Sequence, residues 1–293
     1  MKPQLRDMLG CPRCHQSLAD SNEGLLCLTC HKTFSVVNNI PILLPDVPET
    51  NWRDAESLYR PPHSRWLGKL KAWAQPPSLL VGKTLHDRLK QNVISDAPPG
   101  TMILNLGSGI ENLYNQDHFV NFDIYPHHNV DVVGDGHFLP FLPETFDVVW
   151  LCAVLEHIRK PWLLCNQVAR VLKPGGKVLV SAPFIQKGHG APYDFFRYTP
   201  EGLRSLFDDF EEIECGPSYT RPSGTLVHVI GAWANAVFPG KLGRMVELCL
   251  LWGLGWLKMI DKVAPPSSLG WTMAGGSCYL GRKPMQLQDI KSP

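Results

Sequence analysis

The sequence predicts an α/β fold, a parallel sheet with helices on both faces, led by a small cysteine-rich module. Three observations predict it. Residues 102–106 form a short apolar run that ends in Gly107-Ser108-Gly109, as a buried parallel strand does before a tight turn. Residues 119–122 form the next such run, with Asp123 at its carboxyl end. From residue 130 onward apolar runs alternate with helical stretches, the pattern of a parallel sheet covered on both sides. In open sheets of this kind ligands sit outside the carboxyl ends of the strands, and an acid ending the second strand suits a ribose hydroxyl pair.

Size and composition fit a globular protein. The chain has 293 residues, 44% apolar and 19% charged, enough for one or two domains and a sizeable core. A net charge of +1 gives no bulk basicity to attract nucleic acid or an anionic surface. Nine cysteines are an odd number and four fall in two CxxC pairs, so a reduced compartment fits better than a disulfide framework. The first residues lack the apolar core of a signal peptide, and no run reaches the roughly 20 apolar residues of a spanning helix. The expected location is cytoplasmic, with a peripheral membrane position as a variant.

Residues 1–46 read as one module. Cys11, Cys14, Cys27 and Cys30 form two CxxC knuckles, and four thiolates so paired complete a tetrahedral zinc shell with no open position. The metal expected there is structural, and His15 and His31, beside the ligands, are bystanders. Residues 32–45 read as a hairpin turning at Asn38-Asn39. The sequence Cys-Pro-x-Cys, Cys-x-x-Cys, Phe-x-Val, Ile-Pro-Ile-Leu-Leu resembles the Trm112-like zinc ribbon family over about residues 7–46. Members of that family partner methyltransferases, which implies a docking or stabilising role in cis. A small appended module is the plainer alternative.

Residues 47–78 are a proline-punctuated linker with helical pieces, and residues 79–94 an amphipathic helix covering the sheet. Between positions 51 and 91 eight Lys/Arg meet three acids, with Trp52, Tyr59, Trp66 and Trp73 interleaved. Such a stretch suits RNA bases or anionic lipid; the alternative is tryptophans packed on the neighbouring domain with solvated charges.

The third piece, residues 79–293, carries the chemistry. LGSG, Asp123, Gly134-Asp135 followed by Leu139-Pro140-Phe141, the FDVV strand, Leu155-Glu156-His157 and the RVLKPGG segment occur in that order. The series resembles the class I S-adenosylmethionine-dependent methyltransferases, in their small-molecule group, and covers about residues 79–215. The resemblance implies a Rossmann-like sheet and S-adenosylmethionine as cofactor. It implies that Gly107 and Gly109 let the backbone approach the methionine moiety, with Asn105 and Ser108 beside them. Asp123, followed by Ile124, would take the ribose hydroxyls; Asp135 the adenine amino group, with Gly136 and His137 alongside; Leu151 or Cys152 would line the cofactor. A carboxylate acceptor suits both a hydroxyl pair and an exocyclic amine. Two departures stand out: Glu111 replaces the usual third glycine, and Asn105 the usual acid of the first strand. Thirteen residues between Gly109 and Asp123 leave the first helix short or lost.

Chemistry in such an enzyme rests on the sulfonium, so the chain positions a nucleophile and removes a proton. Candidates cluster after the fifth strand. His189 is a general-base candidate by its ordinary titration range, and His157 a second one. Tyr193 and Asp194 would orient a hydroxyl, while Phe184 and Arg197 would bind the acceptor, Arg197 through an anionic group. The alternative is an Asp194–Arg197 pair that pins the loop. The Asp-x-x-Arg-Tyr-Thr-Pro pattern resembles methyltransferases of bacterial glycan and natural-product pathways.

An apolar insertion at about 222–272 interrupts the end of the domain, with two pieces at 226–238 and 245–260. It reads as a lid or dimer interface, or as a hairpin at a membrane interface serving a lipid-linked acceptor. The expected function is methyl transfer to a hydroxyl or amine of a small molecule, glycan or lipid-linked precursor. An RNA methyltransferase gripping RNA through the ribbon, and a non-catalytic cofactor-binding adaptor, are the alternatives. Oligomeric state is not legible.

Overall fold

The structure, a computed structural model, describes residues 1–46, 84–109, 116–186, 188, 193–218, 222–257, 259 and 273–285. The basic aromatic linker expected at 47–78 lies outside these residues, as do Glu111 and His189. Among the described residues a nine-stranded sheet dominates. Its centre is β6 (Ile103–Leu106), flanked by β7 (Phe119–Asp123) and β9 (Phe146–Cys152), all three parallel. Every residue of β6 and β7 is buried, which is why both read as unbroken apolar runs and not as alternation. β8 (Val132–Gly134) follows β7 on one side; β10 (Leu172–Pro183) follows β9 on the other. The strand order therefore reverses between β6 and β9, the kind of switch point beside which ligands bind in open sheets. Leu106 pairs with Phe122 on one side and Leu151 on the other, so these strands end level. The far edge is antiparallel, β12 (Gly276–Arg282) against β10, then β11 (Glu211–Ser218) against β12.

Helices cover both faces. α2 (Leu85–Lys90) falls within the 79–94 expectation, of which residues 79–83 lie outside the described residues, and Thr84 and Asp87 form a reciprocal capping box that fixes its first turn. It ends in a π turn, Gln91–Ser95. α3 (Pro161–Val171) and α4 (Pro200–Leu206) lie on the opposite face, each opened by a proline in its first turn. α5 (Pro222–Val237) and α6 (Lys241–Leu254) form the hairpin of the apolar insertion.

The amino-terminal module joins the sheet. After the short α1 (Pro3–Met8), β1 (Ala19–Ser21), β2 (Gly24–Cys27) and β3 (Lys32–Phe34) make a separate three-stranded sheet. β4 (Val36–Val37) and β5 (Ile40–Leu43) form the expected hairpin, with Asn38 and Asn39 at φ of +51° and +65° in the two-residue turn. β5 then pairs in parallel with β8, Ile42 opposite Val133 and Leu43 opposite Gly134. The ribbon thus lends two strands to the main sheet.

A single segment ties these parts together. Residues 139–142 receive Gly10 N–H on Pro140 O (3.0 Å) and give Leu142 N–H to Met8 O (2.9 Å). From the other side Arg170 of α3 donates to Phe141 O (2.6 Å) and Leu139 O (2.7 Å). Burial lowers the guanidinium to about 10, and the two carbonyls together with Gln167 Oε1 meet its donors. Phe141 is fully buried between Phe122 and Phe146, both edge-on. Leu5, Leu9 and Phe34 of the ribbon share one apolar core with these rings. Phe141→Ala should cost about 3–5 kcal/mol, the range for an emptied aromatic core site, in urea unfolding. A loss under about 1 kcal/mol would show that the ribbon contact and the sheet core do not meet there.

Candidate active site

The turn after β6 is folded across the end of β7. Gly107 and Ser108 both donate their N–H to Phe122 O, at 2.9 and 3.1 Å. Gly107 has φ +71°, and a Cβ there would lie 2.4 Å from Val154 Cγ2, so only glycine fits. Gly109 also has positive φ, +61°, but nothing lies within 4 Å of where its Cβ would be, leaving open space. Asp123 faces the same turn, its Oδ2 accepting from Gly109 N–H at 2.8 Å and its Oδ1 from Tyr125 N–H at 3.0 Å. Burial holds its carboxyl above the usual range, against the pull of those N–H groups. Ser108 Oγ is buried with no hydrogen-bond partner among the described residues.

The other residues expected at the cofactor occupy three settings. Asn105 lies within the sheet, its Nδ2 donating to Asn121 Oδ1 (2.9 Å), a strand-to-strand bond behind the turn. Ile124 is half-buried just after Asp123, Leu151 is buried at the end of β9, and Cys152 is half-buried beside it. Asp135 is fully buried at the end of β8 and caps the 3-10 turn Gly136–Phe138, accepting from His137 N–H (2.9 Å) and Nδ1 (2.6 Å). His137 Nε2 accepts from Lys160 N–H (3.4 Å), which puts the ring proton on Nδ1. Gly136 packs against α3, where a Cβ would stand 3.2 Å from Leu164 Cδ1.

On the acceptor side the structure brings His157, Tyr193, Asp194 and Arg197 together. The 3-10 turn Leu155–His157 follows β9, and residues 193–199 lie across it. Phe195 N–H donates to Glu156 O (2.7 Å), and Tyr198 OH to Leu155 O (3.1 Å). His157 Nδ1 lies 2.7 Å from Tyr193 O; a carbonyl only accepts, so Nδ1 carries the proton and Nε2 is the basic nitrogen. Asp194 and Arg197 form a bidentate pair, with Nη2 at 2.6 Å from Oδ2, and Arg197 also donates to Phe196 O (2.8 Å). The guanidinium fork is thus turned onto Asp194, the loop-pinning arrangement. Phe184 opens the loop, its N–H on Gly275 O at 2.9 Å. Tyr193, Phe195 and Phe196 are exposed, Tyr193 stacked on Phe195 and Phe195 tilted against Phe196.

At the other end of the chain the thiols of Cys11, Cys14, Cys27 and Cys30 all lie within 4.8 Å of one another, a group able to hold a metal ion. His15 and His31 sit at φ of +59° and +54°, each directly after the second cysteine of its knuckle. They close the two turns with a left-handed residue.

Residues 111–180 match the methyltransferase domain family. That match covers about a quarter of the chain. Over 77 residues it is 32% identical to the ubiquinone/menaquinone biosynthesis C-methyltransferase UbiE of Ruegeria sp. (strain TM1040), covering 26% of each chain. Over 109 residues it is 33% identical to the 27-O-demethylrifamycin SV methyltransferase of Amycolatopsis mediterranei (strain S699), covering 31% of this chain and 40% of that one. The matches thus span about a quarter to two fifths of these relatives' length. Among solved structures, the [4+2]-cyclase SpnF aligns with a TM-score of 0.42 and 17% identity, over 69% of this chain and 81% of that one.

Two groups near the candidate site take no role from the sequence pattern. Glu156, quoted in its motif but given no role, has a fully buried carboxylate whose Oε1 lies 3.7 Å from His157 Nε2. The signal was there, an acid between apolar Leu155 and a histidine. His86 was unmarked; it is buried on Trp150 with Nε2 3.8 Å from Cys152 Sγ, and burial lowers its pKa. No local pattern in α2 points to that contact.

Burial pushes the Glu156 carboxyl up to about 7, with Asp194 adding to the rise and Arg197 opposing it. Between the ordinary carboxyl value of 4.5 and about 7 the folded chain keeps a proton that the unfolded chain has lost. Stability should therefore fall as pH rises through that window, by about 3 kcal/mol in all, and level off above it. Glu156→Gln should remove that fall, as urea unfolding at about pH 5 and about pH 8 would register. An unchanged slope in the variant would contradict the assignment.

Proposed function

We propose that the chain is an S-adenosylmethionine-dependent methyltransferase acting on a hydroxyl or amine of a small molecule, glycan or lipid-linked precursor. One observation carries the reading: the Gly107–Gly109 turn at the switch point, with the Asp123 carboxylate held against it. The residues present fit the cofactor. Asp123 accepts from the Gly109 and Tyr125 N–H groups, with the Ile124 N–H beside them, and a carboxylate has lone pairs for about four, so capacity remains for a ribose hydroxyl. Ser108 Oγ is a buried group awaiting a partner, and the space over Gly109 admits a ligand close to the backbone. Bound there, the cofactor supplies a methyl group on a sulfonium.

The chain's own task is then to orient the acceptor and take its proton. His157 suits the second role, because Tyr193 O fixes the tautomer with Nε2 basic. Glu156 beside it holds that ring's environment, and the Asp194–Arg197 pair holds the loop. His189 stays a candidate from sequence, outside the described residues. The printed names of the two relatives, for quinone biosynthesis and a demethylrifamycin, support an acceptor of the small-molecule class. The RNA alternative draws on a basic stretch that lies largely outside the described residues, and no described feature favours it. The membrane-facing variant draws on α5 and α6.

The four-cysteine group supports a structural zinc ion, since four thiolates leave no position for water. One ion per chain is expected. Cys14→Ser/Cys30→Ser should lose both metal and cooperative unfolding, because a ribbon this small lacks the core to fold alone. A folded, metal-free double variant, read by circular dichroism and metal analysis, would overturn the structural role. For the cofactor, calorimetry should register S-adenosylmethionine binding, weakened about tenfold or more by Asp123→Ala, the loss of one charge-assisted bond or more. Equal affinity in wild type and variant would contradict the ribose role of Asp123.

A further inference from the structure

We propose that the α5–α6 hairpin is a lipid-facing arm that seats the carboxyl edge of the sheet on an anionic membrane surface. The proposal deepens the acceptor reading by selecting its lipid-linked class, and it rests on that reading for what the arm delivers. Position is the first argument. Ser218, pairing with Gly276, ends β11 at the level of Pro183, and α5 starts four residues later, so the hairpin springs from the edge that holds the candidate site. The returning chain is bonded to the acceptor loop, Ala274 O and Gly275 O receiving Ile185 N–H (3.3 Å) and Phe184 N–H (2.9 Å).

The second argument is the shape of the apolar surface. The two helices meet along a seam in which Asn235 Nδ2 donates to Glu247 Oε2 at 2.8 Å and Gly231 gives the Glu247 side chain room. At 3.6 residues per turn, Leu226, Val229 and Trp233 lie on the side of α5 opposite this seam. Met245 and Trp252 lie likewise on the side of α6 opposite Glu247, and Trp256 follows in the 3-10 turn Gly255–Leu257 that continues it. All six are exposed, and the three tryptophans keep 62%, 54% and 59% of their surface in solvent. The two stripes therefore point away from each other. A closing lid or a flat second subunit would cover one of them, whereas a fluid lipid layer closes round both.

Charge and length agree with that occupant. α5 contains no Asp, Glu, Lys or Arg. Lys241 and Arg244 are exposed at the start of α6, while Glu247 is engaged in the seam, which leaves the outer hairpin positive toward anionic headgroups. Tryptophan rings suit the headgroup level. Helices of 16 and 14 residues reach about 24 and 21 Å, short of the roughly 30 Å hydrocarbon layer. No described helix is long and apolar enough to cross a membrane. The arm dips into one leaflet.

The test is co-sedimentation of the full chain with vesicles of phosphatidylcholine alone and of equal parts phosphatidylcholine and phosphatidylglycerol. Wild type should partition into the mixed vesicles. Trp233→Ser/Trp252→Ser/Trp256→Ser should lower the partition about tenfold or more, since binding scales with buried apolar area. Lys241→Gln/Arg244→Gln should lower it toward the value for phosphatidylcholine alone. Absence of wild-type binding to either vesicle would overturn the proposal. So would a wild-type dimer in light scattering that the tryptophan variant splits, since a second copy would then be the cover. Calorimetry with S-adenosylmethionine on the same preparations separates the two readings. Vesicle binding without cofactor binding defeats the methyltransferase reading and keeps the arm, and the reverse defeats the arm alone.

Discussion

Arg170 reaching through α3 to the carbonyls of Leu139 and Phe141 is the contact on which most of the architecture depends. A guanidinium buried to that degree is tolerable only where carbonyls meet its donors, so the segment 139–142 has little freedom to move. That segment in turn offers its other backbone groups to Met8 and Gly10, which fixes the ribbon, and its Phe141 ring to the core between β7 and β9. The same rigidity carries over to β8, because β5 of the ribbon pairs along it, ending beside Gly134 and the buried Asp135. The ribbon, its sheet edge and the Asp135 turn are thus joined by backbone pairing and one shared core.

The ligand end shows how the sheet makes a site. Parallel strands that end level, and a reversal of strand order beside β6, are the arrangement in which an open sheet gives a ligand its place. Glycine at 107 is then compelled by Val154, while Gly109 is compelled only by its backbone angle, and the difference marks where space is kept. Ala153, at φ +54° without being glycine, turns the chain sharply from β9 into the Glu156–His157 turn. Strain of that kind persists where surrounding bonds hold it, here Ala153 N–H on Ser181 O at 2.8 Å.

Much of this was legible because local pattern and global role coincide. Buried strands announce themselves as apolar runs, the Asn38-Asn39 turn by its dipeptide, and the four cysteines by spacing. What stayed hidden depends on partners far away in sequence. Nothing in the Ile-Pro-Ile-Leu run says that it pairs with Val133, and nothing in the RVLKPGG motif says that its arginine grips the LPF segment. The first turn of the helix ahead of β6 is set by the Thr84 cap, which apolar periodicity does not show. Glu156 was visible as a residue, yet its chemistry comes from burial, which only the packing of residues 193–198 across it supplies.

The account turns on methyl transfer at the switch point. Its most direct measurement follows a radiolabelled methyl group from S-adenosylmethionine into fractionated host extract incubated with the purified chain. The account predicts label in the organic or glycan fraction. Label confined to ribonuclease-sensitive material, or none in any fraction although the cofactor binds, would contradict it.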